Sequence, residues 1–138
     1  MGASGWSYHT AWSDDLHEAL QRLRAEVFAE GAYNKWWQQF GDPNLEASSI
    51  DEALELADTE GTHSILDIAS IGAGFGCATP LTDELLLETF DTTTPTRAQA
   101  EARAPELMTH LPRWQAYVLP TFEGDQPTGL LFVGVSGD

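Results

Sequence analysis

The chain has 138 residues, of which 42% are hydrophobic, and this suits one domain with its own hydrophobic core. Its 22 acidic residues against 6 Lys and Arg give a formal net charge of −16, which disfavours nucleic acids and anionic membranes as partners. No apolar run is long enough to cross a bilayer, and we expect no secretory signal. A single Cys excludes an internal disulfide and makes a cytoplasmic protein the default expectation. We expect one acidic domain over 1–138, with residues 1–5 disordered or derived from an expression tag.

The first helical pattern covers 13–31, where apolar residues recur at intervals of three and four. Ser13 or Asp14 can cap its start, and Gly31 can end it. An aromatic stripe with helical spacing follows and is closed by a Gly-Asp-Pro turn; its members are Tyr33, Trp36, Trp37 and Phe40. We favour a place in the core for this stripe, and keep a partner anchor or a ligand-stacking surface as the alternative.

A short acidic helix is predicted over 49–60, with Ser49 and Glu52 as a capping box. Its outer face carries four carboxylates and no basic residue: Asp51, Glu52, Glu55 and Asp58. The whole stretch from Trp36 to Thr96 holds twelve acids and neither Lys nor Arg. Unneutralised like charges are slightly costly on a helix, so either solubility in a salt-adapted or GC-rich organism or a basic partner explains this face.

The rest of the chain predicts a mixture of strands and helices. A strand is expected at 63–68 ("HSILDI"), then a helix that begins after Thr82, then a helix with a capping box from Thr96 and Gln99 that Pro105 kinks or interrupts. Two C-terminal strands, "RWQAYVLPTF" and "TGLLFVGVSGD", flank the hairpin-like turn "EGDQP". These elements predict an α+β fold: a single domain with four to five helices packed on a small, mainly antiparallel sheet with a C-terminal hairpin.

The glycine-rich segment "GAGFGC" at 72–77 lacks the residues that nucleotide-binding loops require. Cys77 occupies the third glycine position of the dinucleotide fingerprint, and the segment has no Lys for a phosphate loop. His63, Asp67 and Cys77 are weak catalytic candidates, because a thiolate needs a nearby base and Asp67 could orient the imidazole. An inert, buried Cys is the commoner arrangement, and we favour it. The His residues match no metal spacing, so we expect neither a metal nor another cofactor.

Several segments resemble a group of small proteins from Streptomyces-like actinobacteria: "GWSYHTAW", "LHEALQRLRAEVFAEGAY", "GTHSILDI", "TPTRAQAE" and the C-terminal "FVGVSGD". The resemblance covers most of the chain. It implies a bacterial, cytoplasmic origin and favours genome composition as the reason for the scarcity of Lys. It implies no activity and no catalytic residue.

Two functional hypotheses follow, and they belong to different classes. The first is an acidic protein-binding or inhibitor module that engages a basic partner protein, in the manner of an immunity protein or a nucleic-acid mimic. Its expected contact residues are Asp51, Glu52, Glu55, Asp58, Trp36 and Trp37. The alternative is a small enzyme or small-molecule-binding protein, with a site near the 63–77 turn and the Trp36/Trp37 stripe.

Overall fold

The computed structural model describes residues 5–57 and 61–137, except for the side chain of Trp36. The strands are β1 Gly5–Ala11, β2 Ser70–Ile71, β3 Cys77–Pro80, β4 Gln115–Glu123 and β5 Gln126–Val135. The helices are α1 Leu16–Glu30, α2 Trp36–Phe40, α3 Ile50–Ala57, α4 Asp83–Phe90 and α5 Arg97–Thr109, with a short 3-10 helix at Ile65–Asp67. None of these helices is long and apolar enough to cross a membrane.

One mixed sheet joins all five described strands in the order β1-β5-β4-β3-β2. β5 runs antiparallel to both β1 and β4, whereas β3 runs parallel to β4 and to β2. The two long ladders are the antiparallel ones, and β4 and β5 form the predicted C-terminal hairpin around Gly124. The α+β fold class is therefore confirmed.

Helices cover both faces of this sheet. Along β5, Leu130 and Phe132 point to the side where α1 packs, and Leu131 and Val133 point to the side where α4 and α5 pack. A strand buried on both faces needs a nearly continuous apolar sequence, and β5 has one. The sheet thus separates two hydrophobic clusters, and a third, smaller cluster holds α2 and α3 together.

Most predicted helix ends agree with the structure. The carboxylate of Asp15 caps α1, one residue later than predicted, and Gly31 ends that helix with φ 67°. Thr82 caps α4, and Thr96 and Gln99 form the predicted capping box of α5. Pro105 does not interrupt α5, which continues to Thr109.

The strand predicted at 63–68 is wrong. This segment is a turn followed by the 3-10 helix, because short polar side chains bond the local backbone. Ser64 Oγ accepts the Leu66 N–H, Asp67 accepts the Thr62 N–H, and His63 adopts φ 55°, which a strand does not allow. The sequence analysis also missed three strands: β1, β2 and β3. Gly5, placed with the N-terminal residues expected to be disordered, is the first residue of β1.

Glycines on β5 make room for aromatic side chains of β1. Gly134 pairs with Trp6, and a Cβ at position 134 would overlap the indole ring of Trp6. A Cβ at position 129 would likewise overlap the ring of His9. The Nε2 of this ring lies 2.9 Å from Thr121 Oγ1. These two close approaches seat β1 on the sheet, and each requires a residue without a side chain.

Candidate functional site

The acidic face predicted on the third helical segment lies on α3. Asp51 and Glu55 are exposed, and Asp58 lies outside the described residues. Glu52 is half-buried, and its carboxylate accepts hydrogen bonds from the Ser48 N–H and hydroxyl. Only half of the predicted capping box forms, since Ser49 Oγ accepts the Glu52 N–H while the Glu52 carboxylate bonds Ser48 instead. Asp51 and Glu55 are therefore the described carboxylates of this face that solvent can reach.

No ion pair in the described part of the chain neutralises the acids of this surface. Among the described residues, the ion pairs are Arg97 with Glu101 and Arg103 with Glu106, and both lie within α5. Neither involves an acid from the Trp36–Thr96 stretch. Its described acids, other than the buried Asp67 and the half-buried Glu52, are exposed: Asp42, Glu46, Asp51, Glu55, Asp83, Glu84, Glu88 and Asp91.

Arg24 is the basic residue whose charge Asp51 influences. Its side chain is 9% exposed and donates hydrogen bonds to Gln21 Oε1 and to the carbonyl oxygen of Leu66. Burial lowers the pKa of Arg24, and the negative charges of Asp51 and Asp67 oppose that effect. Arg24 therefore fastens α1 to the 3-10 helix, and its charge interacts with that of Asp51 without forming an ion pair.

The aromatic stripe is divided between the core and the surface. Helix α2 begins only at Trp36, so Tyr33 precedes it; its ring stacks on Phe28 and also contacts Trp37. Trp37 is 4% exposed and packs with Ala53 and Ala57 of α3, which is the core position we favoured. The side chain of Trp36 lies outside the described part of the chain. Phe40, 67% exposed, is the aromatic residue that α2 presents to solvent.

The predicted catalytic turn is organised around Asp67, which is 7% exposed. Its Oδ1 accepts hydrogen bonds from the Thr62 N–H at 2.7 Å and from Thr62 Oγ1 at 2.9 Å, and its Oδ2 accepts one from Ser136 Oγ at 3.0 Å. Burial raises the pKa of Asp67, while the hydrogen bonds from Thr62 and Ser136 and the charge of His63 act in the opposite direction. These bonds tie the turn to the end of β5.

Of the three catalytic candidates, His63 and Asp67 lie on one turn, where the charge of His63 acts on Asp67, and Cys77 lies on β3. Both carboxylate oxygens of Asp67 already accept hydrogen bonds from Thr62 and Ser136, which limits its capacity to orient an imidazole. Cys77 is half-buried at the start of β3, and its Sγ lies 3.4 Å from Ser70 Oγ on the neighbouring strand. His63 lies on the turn before the 3-10 helix and is half-buried. The glycines after β2 form the turn to β3, as expected for flexible backbone.

A groove between α4 and α5 was not found by sequence reasoning. A cavity of about 390 Å³ lies there, and its lining includes Leu81, Leu85, Glu88, Glu106, Leu107 and Tyr117. The sequence did carry one signal: three consecutive leucines begin at Leu85, and a helix cannot bury all three against one surface. In the structure Leu86 is buried, whereas Leu85 and Leu87 are exposed.

In the part of the chain that the structure describes, no group of three or more His, Cys, Asp or Glu side chains could hold a metal ion. Comparison with protein-family models, with curated proteins and with solved structures gives no match. The functional conclusions below therefore depend on the residues of this chain alone.

Proposed function

We propose that this protein is an acidic binding module that engages a basic partner protein, in the manner of an inhibitor or an immunity protein. The observation that carries the proposal is the exposure of Asp51 and Glu55 on α3, with no ion-pair partner among the described residues. Such carboxylates raise the rate of encounter with a positively charged surface and disfavour acidic competitors.

The packing beneath α3 supports this role. Ala53 and Ala57 are buried against Trp37, so the helix is held in place and its outer carboxylates keep a defined spacing. Helix α2 packs against α3 and exposes Phe40, an apolar side chain of the type that anchors protein interfaces. Trp37 contributes from the core as a support rather than as a contact residue.

The alternative, a small enzyme or small-molecule-binding protein with a site near the 63–77 turn, has less support. The acid at that turn is Asp67, and its hydrogen bonds to Thr62 and Ser136 serve the fold. A catalytic acid or base needs a free position toward its substrate. We therefore place the binding hypothesis first.

The test is capture of partners from a lysate of the protein's own host, at low and at high salt, with mass spectrometry as the readout. We expect a basic protein that is retained at low salt and lost at high salt. The double variant D51K/E55K should abolish this capture. The matched control is E123K/D125K, which changes the net charge equally at two exposed positions of the β4–β5 hairpin.

The two variants separate a specific surface from a general charge effect. Loss with D51K/E55K and retention with E123K/D125K would support α3 as the contact surface. Equal loss with both would show that only the net charge matters. If no basic protein is captured at low salt, the acids serve solvation and the proposal is wrong.

A further inference from the structure

The groove between α4 and α5 has a shape and a chemistry of its own. The middle of α4 faces the C-terminal half of α5, with Leu85 and Glu88 opposite Glu106 and Leu107. A second, smaller cavity of about 190 Å³ lies where Phe90 faces Gln99 and Arg103. Both cavities lie between the same two helices, which run antiparallel.

The floor of the larger cavity is apolar. Leu81 and Leu107 are buried, and Tyr117 of β4 is half-buried beneath them. Leu85 stands at the edge and is 38% exposed, although it belongs to a helix packed on the core. An apolar group that entered the cavity would remove Leu85 and the floor from water, which is favourable in proportion to the area covered. A volume of about 390 Å³ falls within the range of small-molecule sites.

The rim of the cavity is negatively charged. Glu88 is exposed and takes no part in an ion pair with any described residue. Glu106 is paired at 2.8 Å with Arg103, which lines the smaller cavity, so Glu88 is the rim carboxylate without an ion pair among the described residues. His110 and Thr89 complete the polar edge. A phosphate or carboxylate ligand would meet Glu88 unfavourably, whereas a cation would gain from it.

We propose that this groove binds a small organic amine: an apolar aliphatic or aromatic body in the cavity, with its ammonium group beside Glu88. The argument rests on charge complementarity between Glu88 and the ammonium and on the apolar floor of the cavity. It does not rest on the α3 surface. That surface lies on the α1 side of the sheet, whereas the groove lies on the opposite side. The two proposals can therefore fail separately.

The experiment is a titration of the 15N-labelled full chain, followed by two-dimensional NMR, with three probes of equal chain length. The probes are n-hexylammonium, n-hexanol and n-hexanoate. We expect hexylammonium to shift the amide signals of residues 85–89 and 106–110 in a saturable manner. Its affinity should exceed that of hexanol about 1.5-fold to fivefold, since a solvent-accessible ion pair contributes about 0.2–1 kcal/mol. Hexanoate should bind most weakly.

Two variants of one helix make the test specific. E88Q removes the rim carboxylate, and should reduce the affinity for hexylammonium to that for hexanol while leaving the hexanol affinity unchanged. E84Q is the matched control, because Glu84 is exposed on the same helix but does not line the cavity. It should leave both affinities unchanged.

Three outcomes would overturn the proposal. Equal affinities for the three probes would show that the groove does not recognise charge. Equal losses of hexylammonium affinity in E88Q and E84Q would show that the overall negative charge of the protein, and not a site at Glu88, attracts the ammonium group. Tighter binding at the same amides by the acetylated and amidated peptide Leu-Lys-Leu would assign the groove to a lysine side chain of a protein partner.

Discussion

Asp67 is a buried acid that holds two distant parts of the chain together. Its carboxylate joins Thr62, at the start of the turn, to Ser136, just after β5. Gly61 and Gly137 are both close to the ring of Trp114, so larger residues at these two positions would collide with it. The segments "GTHSILDI" and "GVSGD" therefore meet at one structural junction.

Replacement of Asp67 by Ala should strongly destabilise the protein. The change leaves the buried Thr62 N–H and the Ser136 hydroxyl without their acceptor, while the Thr62 hydroxyl keeps Ser64 Oγ as a partner. We expect the free energy of unfolding in urea to fall by about 3 kcal/mol or more, because each unsatisfied buried donor costs about 1–3 kcal/mol. The control is D14A, an exposed acid before α1, for which a change within about 0.5 kcal/mol is expected. Similar small losses for both variants would show that Asp67 is not a structural junction.

The pKa of Asp67 also predicts an unusual dependence of stability on pH. Burial raises this pKa above its ordinary value, so the folded protein binds the proton more tightly than the unfolded chain does. The stability that Asp67 contributes is therefore fully present below the ordinary pKa, and is lost as pH rises through the raised value. The wild type should gain stability relative to D67N as the pH falls from 7 to about 4, in urea titrations. If the difference in the free energy of unfolding between the wild type and D67N shrinks as the pH falls, the hydrogen bonds to Asp67 lower its pKa more than burial raises it.

At the scale of elements, the pairing of β1 with β5 depends on the close fit between Gly134 and Trp6. A methyl group at position 134 would overlap the indole ring of Trp6, which is 7% exposed. We expect G134A to lower the melting temperature, with a loss of about 1–3 kcal/mol from overpacking. The control is G5A on the same strand pair, where the new methyl group meets only the flexible end of Met108. G5A should cost clearly less, and equal losses would contradict this explanation of Gly134.

The elements that the sequence predicted well are those with local signals. α1, α4 and α5 combine helical periodicity with a capping side chain, and both strands of the C-terminal hairpin combine apolar runs with a turn. β1, β2 and β3 lack such signals. β1 is a polar-aromatic edge strand whose partner lies at the other end of the chain, and β2 has two residues. Their formation depends on long-range pairing, which local patterns do not report.

The candidate sites also differ in how far local sequence patterns predict them. The acids on α3 could be predicted because helical spacing alone places them on one face. The role of Asp67 could not, since its partner Ser136 is 69 positions away. The groove at Leu85 requires the contact of α4 with α5, and the sequence offered only the excess leucines as a signal.

At the scale of the whole molecule, charge should limit stability. The formal net charge is −16, and the described ion pairs between side chains are confined to α5. Carboxylates elsewhere on the surface therefore repel one another over distances that salt shortens from about 30 Å at 0.01 M to about 8 Å at 0.15 M. We expect the free energy of unfolding to rise by on the order of 1 kcal/mol between these conditions, or about 3 to 5 °C in Tm.

A variant with the same fold and less charge distinguishes screening from other effects of salt. Glu26, Glu30, Glu55 and Glu123 are all exposed and lie outside the first turn of any helix, and each replacement by Lys changes the net charge by two. The fourfold variant E26K/E30K/E55K/E123K therefore carries about half the net charge of the natural chain. Its Tm at 0.01 M salt should exceed that of the wild type, and its dependence on salt should be weaker, because fewer like charges remain to be screened. Equal salt dependence in the two proteins would show that ion-specific solvation, rather than repulsion between carboxylates, governs the response of this acidic surface to salt.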